Sequence, residues 1–465
     1  MGDAIHRGPA RGPPRVDRAL GQAQLRRLDG AGAVVSGAAR APGAWSRGAA
    51  SARAARARVV GARLGIVARR LARPALGALD LSRDRHGGRA AVSHGRRLLA
   101  INFRDPAHPE AGGAELHLEW ILREAVRRGF DVTWLASGFP GAAPEALHEG
   151  MRVVRRGEWW NFNLVLPDIL KREFSAPAPD LVVEDINKVP CFTPWWTRSE
   201  VGVIVPHLFG KTAFQEAGPF LGAYVVALEE MIPWAYRGKR FVVISESTRD
   251  DLVRRGVPRE RIEVVHCGLD HGLYHVDPSV RKSEHPMIVF VGRLRRYKGL
   301  DWVMRTLPDV IDRVPGARLV VLGDGPFRNT LESMASRWGM ASAVDFRGFV
   351  SAEEKVRWMR QAWVLVQPSP KEGWGLTVVE AGACGTAVVA TDAPGLRDSV
   401  RDGATGLLVP DRDRAKLGAA LIQVLTDASL RERLGTAGVE WAKRFRWSTC
   451  GARSLDHLLG ERTAS

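Results

Sequence analysis

The sequence has few cysteines and lacks any long uninterrupted apolar run. Its four cysteines lie far apart and form no CxxC pair: Cys191, Cys267, Cys384 and Cys450. This usage indicates neither a zinc site nor a disulfide framework, so we expect a reducing, cytoplasmic environment. No apolar segment approaches the ~18 residues that a membrane-spanning helix needs. We therefore expect a soluble protein that could still touch the inner face of a membrane.

Lysine and glutamate are both absent from the first 97 residues, which hold 20 arginines and five aspartates. Of the net charge of +17, +15 belongs to this segment, and the other 368 residues are nearly neutral. An Arg/Ala/Gly/Pro composition cannot bury enough apolar surface to offset its ordering entropy, so we expect residues 1–95 to be a mostly disordered extension. Two alternatives remain open: residues 59–79 could form a basic amphipathic helix at a membrane surface, and translation could begin further downstream.

Short apolar runs alternate with helical patterns from residue 97 onward, in two series. The first predicts strands at 98–103, 130–136, 180–184, 201–205, 240–245 and 261–266. The second predicts strands at 287–291, 318–322, 344–347, 363–367, 387–391 and 406–409, with helices at 300–313, 328–338 and 376–383. Such alternation is typical of doubly wound parallel sheets. We predict two Rossmann-like α/β domains at 96–280 and 281–445, linked by the polar stretch 277–286. A C-terminal helix within 446–465 is expected to return to the first domain.

In doubly wound sheets, ligands bind at the carboxyl ends of the strands. The strongest signal there is a pair of glutamates, Glu372 and Glu380, with seven residues between them. The glycine-rich loop that holds Glu372 opens a helix, whose N-terminus favours an anion. Glu372 is suited to accept hydrogen bonds from sugar hydroxyls and Glu380 from a ribose diol. For Glu380 a second interpretation stays open, because Thr377 and Glu380 also have capping-box spacing.

A second signal is the basic loop 292–299, directly after the predicted strand 287–291. Arg293 offers bidentate contacts and Lys298 a mobile point charge, a combination that suits a diphosphate. The alternative is a solvated basic turn. Arg295 and Arg296 are expected to lie on the surface.

In the first domain, Gly112 and Gly113 precede a predicted helix and would allow a phosphate or sugar to approach the backbone closely. The loop is not GxGxxG, so a dinucleotide site is not indicated. His207 lies just past the predicted strand 201–205, although a lone histidine is more often structural than catalytic. Asn187 and Lys188, together with Asp185, are candidates for an acceptor pocket.

Two aromatic clusters in the first domain allow two interpretations. One cluster is Trp159, Trp160, Phe162, Leu164 and Leu166, and the other is Trp195, Trp196 and Arg198. Amphipathic aromatics beside cations suit a membrane interface and a lipid-linked acceptor. Ordinary core packing is the alternative.

Taken together, these residues resemble the retaining glycosyltransferases of family 4, which have the GT-B architecture of two Rossmann-like domains facing across a cleft. The resemblance spans about residues 97–460. It implies a metal-independent transfer, without a cofactor, from a nucleotide-diphosphate sugar to a lipid-linked, glycan or small-molecule acceptor. It also implies that Trp374, where the family often has phenylalanine, shapes the sugar pocket, and that the segment from Arg347 to Phe349 receives the base.

The resemblance assigns roles residue by residue. Catalytic roles fall on His207, Arg293, Lys298 and Glu372. Donor binding falls on Gly112, Gly113, Arg293, Lys298, Arg347, Phe349, Glu372, Gly373, Trp374, Gly375, Leu376, Thr377 and Glu380. The rival functions are a sugar-nucleotide epimerase, a non-catalytic sugar-nucleotide sensor and, from the basic extension alone, a nucleic-acid-binding protein. We expect no nucleic-acid partner, because nearly all of the net positive charge, +15 of +17, lies in residues 1–97.

Overall fold

Two β-sheets organise the part of the chain that the computed structural model describes, residues 95–210 and 212–461. The predictions for residues 1–94, which include the disordered extension and the amphipathic helix, lie outside the described residues. Within the described segments, no helix combines the length and apolarity needed to cross a bilayer.

The first domain is built on an eight-stranded sheet with the order β3-β4-β2-β1-β5-β6-β7-β8. Every neighbouring pair is parallel except β3 with β4. The strands are β1 (Arg97–Ile101), β2 (Asp131–Gly138), β3 (Glu145–His148), β4 (Met151–Glu158), β5 (Leu181–Asp185), β6 (Glu200–Val205), β7 (Arg240–Val243) and β8 (Ile262–Val264). The helices are α1 (Gly113–Arg127), α2 (Phe162–Glu173), α3 (Thr212–Glu230), α4 (Ile232–Ala235) and α5 (Glu246–Arg255).

The second domain has a six-stranded, fully parallel sheet with the order β11-β10-β9-β12-β13-β14. Its strands are β9 (Met287–Val291), β10 (Arg318–Leu322), β11 (Val344–Gly348), β12 (Val364–Gln367), β13 (Ala387–Thr391) and β14 (Leu407–Val409). Its helices are α6 (Leu300–Arg313), α7 (Arg328–Arg337), α8 (Ala352–Gln361), α9 (Leu376–Ala383), α10 (Leu396–Ser399), α11 (Arg414–Thr426) and α12 (Ala428–Ala442). The prediction of two doubly wound domains is confirmed.

The hairpin of β3 and β4 was not predicted from the sequence. The edge strand β3 has only four residues, none of them buried, and β4 carries three arginines among its apolar residues. One of these, Arg155, is buried and forms a bidentate ion pair with Asp105 at 2.7 and 2.8 Å. This pair anchors the loop after β1, which leads to Gly112 and Gly113.

A last helix, α13 (Trp447–Leu459), packs against α1 of the first domain, as the C-terminal prediction required. The rings of Trp120 and Trp447 stack with centroids 6.0 Å apart. At the crossing point, the Phe445 carbonyl accepts the backbone N–H of Leu269 at 3.2 Å and lies 2.8 Å from the His271 Nε2. The outgoing and returning segments of the chain are therefore joined to each other where they pass between the domains.

Candidate active site

A cavity of about 430 Å³ lies between the two domains, lined by loops at the carboxyl ends of their strands. The sequence-predicted residues that line it are Gly112, Gly113, His207, Arg293, Lys298, Glu372, Gly373, Trp374, Gly375, Leu376 and Thr377. They come from the loops after β1, β6, β9 and β12. The predicted site residues of the two domains therefore line the same cavity, although they are up to 265 positions apart in the sequence.

Lys298 and Glu372 form an ion pair in this cavity, with the Lys298 Nζ 2.6 Å from the Glu372 Oε1. Burial acts to lower the pKa of Lys298, but the carboxylate beside it overrides this effect and holds the pKa above its usual value. Burial likewise acts to raise the pKa of Glu372, and Lys298 reverses it, so the pKa lies below the usual value. The Gln367 side-chain amide donates a second bond to the same Oε1 at 2.8 Å. Both groups are thus held charged and fixed in position.

Arg293 lines the same cavity and, among the described residues, has no ion pair within 4.0 Å. Its guanidinium is therefore available for an anionic ligand. The N-terminus of α9 opens onto the same space, because Gly375, Leu376 and Thr377 line it. A guanidinium and a helix N-terminus that converge on one cavity are suited to binding phosphate.

Three predicted donor-binding residues lie outside the cavity lining. Arg347 pairs with Asp345, and its guanidinium carbon lies 5.0 Å from the ring centroid of Trp358. Phe349 is 91% exposed. Glu380 accepts two hydrogen bonds from the Lys355 ammonium, both at 3.0 Å.

The structure contradicts the capping-box interpretation of Glu380. Helix α9 begins at Leu376, and its N-cap is Gly375 rather than Thr377. Thr377 is therefore inside the helix, where it cannot cap it. The Glu380 carboxylate pairs with Lys355 of α8 instead.

Two glycines lie where the domains approach each other closely. A Cβ added to Gly113 would be 2.9 Å from the Leu376 Cδ1, and one added to Gly373 would be 3.0 Å from the Ile244 Cδ1. Real Cβ atoms do not approach a neighbour to less than 3.0 Å, so a side chain at Gly113 would force a shift. The sequence predicted these glycines for ligand contact, but in the structure they also allow contact between the domains.

His207 lies beside Gly373, where an added Cβ would be 3.7 Å from the His207 Nδ1. Burial, followed by the charge of Lys371, lowers the pKa of His207 to about 4. The imidazole is therefore neutral near pH 7, and it can exchange hydrogen bonds with a sugar hydroxyl without adding charge.

Arg295 and Arg296 are exposed, as expected, but Arg295 also has a partner in the first domain. Its guanidinium reaches across the cleft to the Glu110 Oε1 at 3.2 Å. Glu110 also pairs with Arg104, so one carboxylate of the first domain joins cations from both domains. A contact between positions 185 residues apart has no local signal in the sequence.

Trp374 has contacts beyond the sugar pocket predicted for it. Its ring stacks on His266 of the first domain, with centroids 4.1 Å apart, and meets Phe445 edge-on at 5.2 Å. The indole is 2% exposed, and its N–H has no partner in the described structure. Trp374 therefore connects the Glu372 loop to the segment where the chain crosses between domains.

Glu184 is a buried residue that the sequence analysis missed, at the end of β5. Its carboxylate accepts bonds from the Cys191 N–H (2.6 Å), the Thr193 N–H and hydroxyl (3.1 and 2.6 Å) and the Tyr236 hydroxyl (2.6 Å). Burial raises the pKa of Glu184, opposed by these bonds. The carboxylate shapes the loop that carries Asn187 and Lys188, and both of these line the cavity whereas Asp185 does not.

Some residues of the first aromatic cluster are packed in the core, and others are exposed as a membrane interface would require. Phe162 and Leu166 are buried, while Trp159 and Trp160 are 62% and 60% exposed. The exposed residues continue onto α3, because the Asn163 side-chain amide donates to the Tyr224 hydroxyl at 3.1 Å. We call this the aromatic surface and define it by its exposed members: Trp159, Trp160, Leu164, Phe220, Leu221 and Tyr224.

The second aromatic cluster is also partly exposed. Trp195 and Trp196 each keep somewhat less than half of their surface exposed, and Trp195 packs edge-on against Trp234 with centroids 5.1 Å apart. Neither cluster is therefore accounted for by core packing alone.

The fold and the cavity define a class: the GT-B fold, with a cavity rich in cationic side chains between two Rossmann-like domains. Comparison with known proteins agrees. The profile for "Glycosyltransferase Family 4" matches residues 111–273, and the profile for "Glycosyl transferases group 1" matches residues 275–441. Sucrose-phosphate synthase from Thermosynechococcus elongatus shares the fold, with a TM-score of 0.66 at 22% identity over 77% of this chain and 97% of that one.

Two curated relatives match most of the chain. The GDP-mannose-dependent alpha-(1-6)-phosphatidylinositol monomannoside mannosyltransferase of Mycolicibacterium smegmatis is 33% identical over 384 residues, or 77% of this chain and 97% of that protein. The D-inositol 3-phosphate glycosyltransferase of Acidothermus cellulolyticus is 35% identical over 395 residues, or 76% and 86%. The chain belongs to glycosyltransferase family 4. It is a glycosyltransferase that uses a nucleotide sugar, and the epimerase and sensor alternatives are not favoured.

Proposed function

We propose that this enzyme transfers a hexose from a nucleotide-diphosphate sugar to a lipid-linked acceptor, with retention of configuration and without a metal ion. We place the reaction at the cytoplasmic face of the inner membrane, where the enzyme binds peripherally. The observation that carries this proposal is that the cationic cavity adjoins the aromatic surface. Lys188 joins the two, because it lines the cavity and its Nζ lies 5.9 Å from the ring centroid of Trp159.

The donor diphosphate would bind to Arg293, Lys298 and the N-terminus of α9. As the bond between the anomeric carbon and the phosphate oxygen breaks, negative charge develops on the diphosphate. Cations and backbone dipoles fixed beforehand stabilise that charge without reorganising. In this proposal they supply the stabilisation that a metal ion gives in other transferases.

Retention follows if the acceptor attacks from the side that the diphosphate leaves. The acceptor oxygen bonds to the anomeric carbon, and its proton passes to the leaving phosphate oxygen. Glu372 is a poor nucleophile in this arrangement, because its carboxylate is paired with Lys298 and accepts a bond from Gln367. We assign it to hold the hydroxyls of the transferred sugar, with the neutral His207 nearby.

The aromatic surface would hold the apolar part of the acceptor. Residues 219–228 of α3 contain no charged side chain, yet Phe220, Leu221 and Tyr224 are exposed. Exposed tryptophan and tyrosine beside apolar residues suit the interface between headgroups and acyl chains. Thr212, the first residue of α3, lines the cavity, and the exposed residues of α3 follow a break in the helix at Gly218, whose backbone is not helical (φ 78°, ψ 178°).

For the donor, we propose GDP-mannose as the first candidate, because the relative from Mycolicibacterium is named as GDP-mannose-dependent. That relative is also named for a phosphatidylinositol monomannoside acceptor, which supports a lipid acceptor here.

The experiment is a transfer assay with the full chain, GDP-, UDP- and ADP-sugars, and vesicles that contain a phosphatidylinositol acceptor. We expect one donor to be consumed, an unchanged rate in excess EDTA, and a product with the donor's anomeric configuration by NMR. Strict dependence on an added divalent metal would refute the metal-free mechanism, and an inverted product would refute retention. Turnover only with a fully soluble acceptor would refute the lipid assignment.

A further inference from the structure

We propose that Glu229 and Lys371 are positioning residues that hold two loops of the cavity, one from each domain, in place against each other. These loops carry His207 and Glu372. The inference rests on the proposed function, in which both loops bind the transferred sugar, and it adds two residues to which that function gives no role. It is carried by the hydrogen bonds of one backbone segment, at Phe209.

The two loops face each other closely. We call residues 206–210, which follow β6, the His207 loop, and residues 370–375, which follow β12, the Glu372 loop. A Cβ added to Gly373 would be 3.1 Å from the Pro206 carbonyl oxygen and 3.7 Å from the His207 Nδ1. A small displacement of either loop would therefore change the distance between the groups proposed to bind the sugar.

Lys371 joins the two loops directly. It lines the cavity, and its Nζ donates a hydrogen bond to the Phe209 carbonyl oxygen at 3.2 Å. The same carbonyl accepts a bond from the Thr212 hydroxyl at 2.6 Å. Among the described residues, Lys371 has no ion pair within 4.0 Å, so its bond to this carbonyl is what fixes the ammonium group.

Glu229 holds the other side of the same residue. Its carboxylate accepts the Phe209 N–H at 2.6 Å and the Gly210 N–H at 2.9 Å. The side chain is 1% exposed, and the Arg255 guanidinium lies 3.6 Å away. Burial raises the pKa of Glu229, and the two backbone bonds oppose it. Because a buried polar group that loses its partners is costly, these bonds fix the loop relative to α3.

The course of α3 explains how Glu229 reaches this loop. Phe209 and Glu229 are 20 positions apart, which a straight α-helix would turn into a separation of about 30 Å. The backbone of Gly218 is not helical, however, and a Cβ added to Gly222 would be 2.8 Å from the Phe214 Cα. The second part of α3 therefore turns back against the first, and its last turn returns to the loop that precedes the helix.

The charge of Lys371 acts on the same loop. Burial, followed by the charge of Lys371, lowers the pKa of His207, and Lys298 adds to this effect while Glu372 opposes it. Lys371 therefore favours the neutral imidazole that the proposed function requires, in addition to fixing the loop that carries it.

Steady-state rates of the full-length variants Glu229→Gln and Lys371→Met give the first test. With the donor and acceptor that the wild type uses, kcat should fall roughly tenfold to a hundredfold in each, the effect of displacing a reacting group by about 1 Å. The Kd of GDP, or of UDP if GDP does not bind, should change less than about threefold, because Arg293 and Lys298 still hold the diphosphate. Lys371→Arg should keep most of the activity, since a guanidinium can donate to the same carbonyl.

Two controls separate position from general destabilisation. Glu230→Gln changes the next residue of α3, which is exposed and pairs with Arg255 without reaching the His207 loop. Lys443→Met removes an exposed lysine of the second domain. Both should keep the wild-type kcat, and losses as large as those of the test variants would overturn the proposal. If Glu229→Gln does not fold, Lys371→Met and Lys371→Arg decide the question.

The double variant Glu229→Gln/Lys371→Met tests whether both residues act on the same backbone. Residues that share one network give non-additive losses. The kcat of the double variant should therefore be close to that of the more impaired single variant. A loss equal to the product of the two single losses would mean that they act independently, and it would overturn the proposal.

Amide hydrogen exchange tests the loop without any substrate. Exchange across residues 206–210 should be faster in both test variants and unchanged in both controls. Unchanged exchange in the test variants would overturn the proposal even if their rates fall. Faster exchange with a wild-type kcat would also overturn it, because the position of the loop would then have no effect on transfer. If the wild type transfers no sugar from any donor, the proposed function fails, while exchange still decides whether these residues hold the loop.

Discussion

Lys298 and Glu372, which the sequence analysis assigns to different parts of the donor, are bonded to each other at 2.6 Å. Each side chain is only 15% exposed. Glu372 therefore compensates the charge of the lysine that would hold the diphosphate, and Lys298 orients the carboxylate that would hold the sugar. The function of either residue depends on the other, and single substitutions should affect both stability and catalysis.

We predict that Lys298→Met and Glu372→Gln each lower the free energy of unfolding by about 3 kcal/mol, because each leaves a largely buried charge unpaired. Turnover should fall by a factor of order 10² in each. The double variant should recover much of the stability but none of the activity. Urea denaturation and initial rates measure the two effects. Single variants as stable as the wild type would mean that the pair behaves like an exposed ion pair.

A second prediction concerns pH and His117, which is buried with both ring nitrogens unpartnered in the described structure. Burial lowers the pKa of His117 to about 4, against an ordinary value of 6.5. Below about pH 6.5, the unfolded chain takes up a proton that the folded chain does not. The free energy of unfolding should therefore fall, by about 3 kcal/mol in total, as pH decreases from about 6.5 to about 4.

Denaturation curves across this pH range in the wild type and in His117→Leu test the prediction. His207 contributes in the same direction, since its pKa is also about 4. The His117→Leu variant should thus keep part of the slope and lose part. Identical slopes in the two proteins would rule out His117 as a source of acid sensitivity.

Glu184→Ala should be strongly destabilising, because it leaves four donors around the carboxylate without an acceptor. We expect a loss of about 3 kcal/mol or more. Amide hydrogen exchange should also rise across residues 186–195. The control is Glu173→Ala: Glu173 is a partly exposed surface residue that pairs with Arg156, and its loss should cost less than about 1 kcal/mol. Equal costs for the two variants would contradict the role given to Glu184.

The aromatic surface predicts how the enzyme binds membranes. Trp159→Ser and Phe220→Ser should each weaken binding to anionic vesicles roughly tenfold, because each removes apolar area that would enter the interface. Nucleotide binding should not change. Trp338→Ser, at an exposed tryptophan of the second domain, is the matched control. Equal vesicle binding in all four proteins would refute a membrane role for this surface.

The sequence was most informative where a buried strand or an amphipathic helix has local signals. Strand β9 (Met287–Val291) and helix α6 (Leu300–Arg313) have the predicted bounds, because an unbroken apolar run and a helical period identify them. The β3–β4 hairpin was missed, since Arg155 reads as a surface residue until its buried partner Asp105 is known.

In the site, too, the features with a local sequence signal could be predicted, and those that depend on contacts between the domains could not. The loops after β9 and β12 could be predicted to share an edge of one sheet, and Arg293, Lys298 and Glu372 do meet there. The bond between Arg295 and Glu110 and the stack of Trp374 on His266 could not be predicted. Both join the two domains, and their geometry depends on how the domains pack rather than on any local pattern.

The Phe445 carbonyl is bonded to Leu269 and His271, in the segment that leaves the first domain. These bonds limit how the two domains can move. Because the chain passes between the domains twice at one place, and the two passages are joined, the domains share a single pivot. Any opening of the cleft must be largest at the end away from this pivot and smallest beside Trp374. The loop that carries Trp374 would then move least, and the end of the cleft away from the pivot would open widest to admit a bulky acceptor.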